Sequence, residues 1–161
     1  MEDDIYEEVD ATRALQESAT VRQQNYETMC GIGAYNLLKV HNKGELRTSV
    51  SGYITLLPAI SGLTPIHMRD ALGLRLSDLT DGADIYRLSE LPDKENFLPR
   101  GYTTLVSGLR LKKGIKQDKA GYRPGHGAWQ VTLIRPVPAV RIAILAANEP
   151  FEPGMHPKYR V

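Results

Sequence analysis

Of the 161 residues in this chain a single one is a cysteine, Cys30, so no internal disulfide can staple the fold. The chain must close a hydrophobic core by burial alone, and its length is that of one ordinary domain able to do so. The apolar share of 42% and the charged share of 24% are globular values, which exclude wholesale disorder and a membrane class. No apolar run approaches the ~20 residues needed to cross a bilayer, and Met1-Glu2-Asp3-Asp4 is the opposite of a basic signal-peptide start. A chain without disulfides suits a reducing compartment. The expected location is cytoplasmic or, for a structural subunit, within a viral particle.

Net charge is +1 but unevenly spread. Glu2, Asp3, Asp4, Glu7, Glu8 and Asp10 make residues 1–10 an acidic arm, whereas Arg110, Lys112, Lys113, Lys116, Lys119 and Arg123 face one acid, Asp118, between 110 and 123. That basic stretch is most simply a solvated loop. Its spacing with Gly114, Ile115 and Tyr122 would also suit nucleic-acid phosphate or an acidic partner, including the acidic arm of a neighbouring copy.

Local signals predict an α+β domain over residues 11–148, with N-terminal helices packed on a small antiparallel sheet formed mainly by the C-terminal third. Ala11 to Met29 contains good helix formers and no Gly or Pro. Whether that helix runs through Cys30 or breaks before it is open, because Gly31 and Gly33 could mark a turn into a second helix. Ala34 to Val40 is helical in composition, with His41-Asn42-Lys43-Gly44 as its stop. Val50 to Ile60 suits either strand or helix. Thr64-Pro65 opens a short helix that Gly73 closes. Asp81-Gly82 and Leu91-Pro92-Asp93 read as turns around Ile85 to Leu88, and Tyr102 to Val106 has strand-like residues. Trp129 to Ile134 and Ala139 to Leu145 read as two strands of a hairpin joined by Arg135-Pro136-Val137-Pro138, covered on both faces. Residues 149–161, with Pro150, Pro153 and Pro157, read as an extended tail.

The constellation that could carry chemistry centres on Cys30. A cysteine at the head of a helix has its thiolate stabilised by free N–H groups and the positive dipole end. A nucleophilic thiolate needs a histidine base from elsewhere in the chain, held by a third group. Of four histidines, His126 has the best context, after Pro124-Gly125 and before a β-rich run. His41 and His67 read as helix residues, and His156 lies in the tail. Asn148, just past the last β-run, is the candidate orienting group, with Glu149 the adjacent alternative. Gln24, six positions before Cys30, could donate to an oxyanion. One Cys and four scattered His show no metal-ligand spacing, and Gly31-x-Gly33 lacks the third glycine of a dinucleotide site, so no cofactor is expected.

Val21-Arg22-Gln23-Gln24 followed by Cys30-Gly31-Ile32-Gly33-Ala34 and Leu37-Leu38 resembles, over about twenty residues, the papain-like cysteine peptidases. The local pattern is that of bacteriocin-processing peptidase domains of export transporters and, more loosely, Josephin-type deubiquitinases. The resemblance implies a thiol hydrolase, peptidase or amidase, acting on a protein or peptide. Its nucleophile would be Cys30, its base His126, its orienter Asn148 and its oxyanion donor Gln24. The chain departs from the family at His126-Gly127-Ala128, where bulky apolar residues usually follow the histidine.

A lone cysteine among apolar and glycine residues is also what a buried small hydrophobe looks like. The competing expectation is a non-catalytic structural or assembly subunit, for example of a viral particle, whose acidic arm and Pro-rich tail grip neighbouring subunits.

Overall fold

The computed structural model describes residues 23, 26, 27, 29–96 and 130–155. Four antiparallel strands, β1 (Leu37–Asn42), β2 (Ser49–Leu56), β3 (Ala83–Leu88) and β4 (Gln130–Leu145), close into a barrel in the order β1-β2-β4-β3. Two short helices, α1 (Leu57–Ile60) and α2 (Pro65–Leu72), follow β2. Helices with an antiparallel sheet match the α+β expectation. Closure of that sheet is a feature the sequence did not predict.

Alternation along the strands divides the apolar residues between two cores. Leu37, Val50, Ile54, Tyr86, Leu88, Val131, Leu133, Val137 and Ala139 fill the barrel, with Met29 packed among them. Leu38, Ala83, Ile85, Ala143 and Leu145 point the other way and meet Ile60, Met68 and Leu72 of the helices, together with Leu79 and Phe151. Leu37 and Leu38 are both fully buried, in different cores. Only an extended chain lets consecutive side chains do this.

That requirement explains why Ala34 to Val40, helical in composition, is not a helix. Ala34–Asn36 form one 3-10 turn and the rest is β1. Burial against two layers outweighs propensity differences of under ~1 kcal/mol per residue. The run from 50 to 60 contains both alternatives in succession, the end of β2 and then α1.

The Thr64 to Gly73 helix forms as its sequence predicts. Thr64 Oγ1 accepts from His67 N at 3.3 Å, Pro65 opens the first turn, and Gly73 closes it in the left-handed region at φ 71°. The strand around Ile85 to Leu88 forms as β3, whereas the expected strand at Tyr102 to Val106 lies outside the described residues.

The expected hairpin at Arg135–Pro138 does not form. β4 is one strand of 16 residues, whose first part pairs with β2 through Val137↔Val50 and Pro138↔Ser49, and whose last part pairs with β3 from Ala139↔Leu88 to Leu145↔Ala83. The prolines sit where β4 passes from one partner to the other, so they have no ladder donor to lose. The N–H groups around them are satisfied from outside. Asn96 Oδ1 accepts from Arg135 N at 2.6 Å, and Thr48 O accepts from Ala139 N at 3.0 Å.

A register shift opposite Ile85/Tyr86 then breaks the alternation of β4. Ile142 and Ala143 are both buried, while Val140 and Ile144 are exposed, so this run is not covered on both sides as its pattern implied. Past Asn148 the chain is still anchored. Phe151 is fully buried, its N–H donates to Leu63 O and its carbonyl accepts from Gly62 N. The packed body thus reaches into the segment expected to be an extended tail.

Candidate functional site

Cys30 is exposed and lies in helical backbone. Tyr26, Glu27 and residues 29–32 are helical, and the stretch stops at Gly33, whose N–H donates to Met29 O at 2.8 Å. Helical residues stand before Cys30, so it occupies a last turn. That end of a helix presents carbonyl oxygens, not the free N–H groups that hold a thiolate. Among the described residues the side chain meets the Tyr26 hydroxyl. Its hydrogen bond with Cys30 raises the Tyr26 pKa above the ordinary phenol value.

Of the partners expected for Cys30, Gln24 and His126 lie outside the described residues, as does the basic stretch from Arg110 to Arg123. Asn148 is exposed in a turn after β4. Glu149, the alternative orienter, closes that turn by accepting from Ala146 N at 3.0 Å. Met29 beside Cys30 packs inside the barrel, whereas Leu145 before Asn148 packs in the outer core. The two residues are thus placed beside different cores.

A denser set of polar side chains lies at one end of the barrel. Strand register fixes three successive rungs on its inner surface: Leu37, Leu88 and Ala139; then Lys39, Tyr86 and Arg141; then His41, Asp84 and Ile144. Over two rungs the interior passes from aliphatic to polar. The β1–β2 loop closes over the polar end. Tyr86 Oη donates to Glu45 O at 2.6 Å and accepts from Arg47 N at 3.0 Å, and Asp84 Oδ2 accepts from Gly44 N at 3.2 Å. Arg47 Nη2 also pairs with Glu45 Oε1.

His41 packs edge-on against Tyr86, with ring centroids 5.6 Å apart. Burial pushes its pKa down to about 4, and the charges of Lys39 and Arg47 act in the same direction, so the ring is neutral at pH 7. Asp84 is fully buried, with Arg141 Nη1 at 3.4 Å as its ion partner. His41 Nε2, Asp84 Oδ1 and Arg47 Nε are buried and make no hydrogen bond. Unmet polar atoms are uncommon in folded interiors.

A concavity on the outside of the barrel wall, lined by Leu38, Val40, Thr55, Leu72 and Leu74, measures about 90 Å³. This is well short of the roughly 300 Å³ at which small-molecule pockets begin. Gln130 closes its floor by donating to Leu72 O at 3.1 Å.

Sequence reasoning passed over His41, Asp84, Tyr86 and Arg141. His41 reads as a helix end as long as residues 34–42 are read as a helix. Taken as a strand, the same residues place Leu37, Lys39 and His41 on one face, the pattern of a barrel interior that turns polar. Among the described residues no three His, Cys, Asp or Glu are grouped to hold a metal ion, and no helix is long and apolar enough to cross a membrane. No family model matches this chain, and neither does any curated protein or solved structure.

Proposed function

We propose that this chain is a non-catalytic assembly subunit, a closed barrel that packs against a second copy of itself through the outward row of β4. The observation that carries this reading is the composition of that row. Ile134, Pro136, Pro138 and Val140 are successive outward residues and all are exposed, with Ile134 at 48%. An apolar row along a closed wall is a feature that an isolated soluble domain tends to avoid. Arg135 lies beside it, exposed and without an ion pair among the described residues. The same chain supplies complementary charge in its acidic arm, residues 1–10.

The test is sedimentation velocity of the full chain, the Ile134→Asp/Val140→Asp double variant, and a variant lacking residues 1–10. The reading expects an oligomer for the full chain at high micromolar concentration and a monomer for the double variant. Loss of the arm should weaken association, most clearly at low salt. A full chain that stays monomeric throughout would remove the reading.

The thiol-hydrolase reading has one observation in its favour, an exposed Cys30 thiol beside a phenol hydroxyl. It predicts rapid alkylation of Cys30 well below pH 8 that slows in a His126→Ala variant. Slow labelling, indifferent to His126, would set it aside.

A further inference from the structure

We propose that the polar end of the barrel is a binding site for a small neutral group carrying two N–H donors and one acceptor, a primary carboxamide or urea-type group, held beneath the loop between β1 and β2. The inference is independent of the assembly reading and rests on three buried polar atoms at this end of the barrel that make no hydrogen bond, His41 Nε2, Asp84 Oδ1 and Arg47 Nε. Two are acceptors. Asp84 Oδ1 belongs to a carboxylate with no solvent exposure, and His41 Nε2 accepts when Nδ1 carries the ring proton. The third, Arg47 Nε, is a donor.

Strand pairing sets His41 and Asp84 directly across from each other on the same inner rung. The Arg47 backbone is tied to that rung through Tyr86, whose hydroxyl accepts from the Arg47 main-chain N–H while its ring packs against His41. The NH₂ of an amide reaches two acceptors at once and its carbonyl takes the guanidinium N–H. Such a group would complete hydrogen bonds that the protein leaves unmade.

The charges around the site select against ions. Asp84 is compensated by Arg141 and Arg47 by Glu45, while the Lys39 ammonium is turned to Tyr53 O at 2.9 Å. An incoming carboxylate would meet Asp84 Oδ1, and an incoming cation would meet Arg47 and Arg141. The lowered pKa of His41 agrees with a neutral site. Ile144, half exposed on the same rung, offers an apolar surface for the alkyl body of such a ligand. Entry requires the loop to lift. Its middle is held by the two bonds to Tyr86 Oη and the Gly44 contact with Asp84, and its ends by the Asn42 side chain, which bonds Asp78 and Leu79, and by Thr48 O, which accepts from Ala139 N.

The experiment titrates the ¹⁵N-labelled full chain with acetamide, acetate and acetamidinium, three probes of one shape and different donor sets. Acetamide should give saturable shifts at His41 Nε2 and the Gly44 amide in the millimolar range, and the two ions should bind at least about tenfold more weakly, the effect of one mismatched hydrogen bond. Arg47→Ala, a change in a partly exposed side chain, should weaken acetamide by about tenfold with the remaining amide spectrum unchanged. The proposal is overturned if no probe shifts these signals, if acetate or acetamidinium matches acetamide, or if Arg47→Ala binds acetamide undiminished. It is equally overturned if a long-lived water contacts the His41 ring and acetamide fails to displace it.

Discussion

The hydroxyl of Tyr86, from the second inner rung of the barrel, donates to the carbonyl of Glu45 at 2.6 Å and so ties the β1–β2 loop across the polar end. The same oxygen accepts from Arg47 N at 3.0 Å, so a single atom satisfies two groups of the loop backbone.

Replacing Tyr86 with Phe keeps the ring in the core and removes that atom. Leaving the Glu45 carbonyl and the Arg47 N–H without their partner should cost about 1–3 kcal/mol in urea unfolding. Amide hydrogen exchange localises the effect. Protection should fall at Arg47 and remain in β3 and β4, because the loop opens without the barrel.

Acid should weaken the fold through His41. Its folded pKa, about 4, lies below the ordinary 6.5, so the unfolded chain takes up the proton first as pH falls. No penalty exists above pH 6.5. It grows as pH drops toward 4 and is complete below that. With allowance for the exposed side of the ring, the loss should be about 1–2 kcal/mol between pH 7 and 4. His41→Gln should flatten that part of the stability profile, and an NMR titration of the ring should place its midpoint near 4.

Gly82 accepts no side chain. Its φ is 122°, and a Cβ built there would lie 2.0 Å from the carbonyl oxygen of Leu145. That oxygen belongs to the last residue of β4, paired with Ala83. Gly82→Ala must push β3 and β4 apart at their closing rung, and a loss of about 3 kcal/mol or more is expected by thermal or urea unfolding.

Asn96 should matter more than its place in a short 3-10 turn implies. Its amide donates to Arg135 O at 3.1 Å and accepts from Arg135 N at 2.6 Å, as a neighbouring strand would, at the crossing point of β4. Asn96→Ala leaves both backbone groups unmet and should cost about 2 kcal/mol. Asn96→Asp restores only the acceptor and should fall between, which distinguishes backbone pairing from loss of side-chain volume.

Much of the local structure could be read from single residues. Thr64, Pro65 and Gly73 specify α2 because capping chemistry is decided within a few residues of chain. Leu37 to Asn42 could not be read that way, since its composition favours a helix and only two cores on opposite sides make it a strand. The prolines at 136 and 138 are a turn signal in isolation. They become tolerable in a continuous strand once Asn96 and Thr48 satisfy the N–H groups of Arg135 and Ala139.

By itself the sequence determined that the chain carries no disulfide, that its apolar content suffices for a packed core, and that its charge is split between an acidic arm and a basic stretch. These follow from composition, which needs no geometry. Tertiary structure decided that the strands close into a barrel and that Cys30 lies near the end of its helical stretch, not at its head. It also brought His41, Asp84, Tyr86 and Arg141 together at one end. Those four come from three strands far apart in sequence, and only backbone pairing places them on adjacent rungs. Burial in that shared interior then lowers the His41 pKa and leaves His41 Nε2 and Asp84 Oδ1 without hydrogen-bond partners, properties that no local stretch of residues encodes.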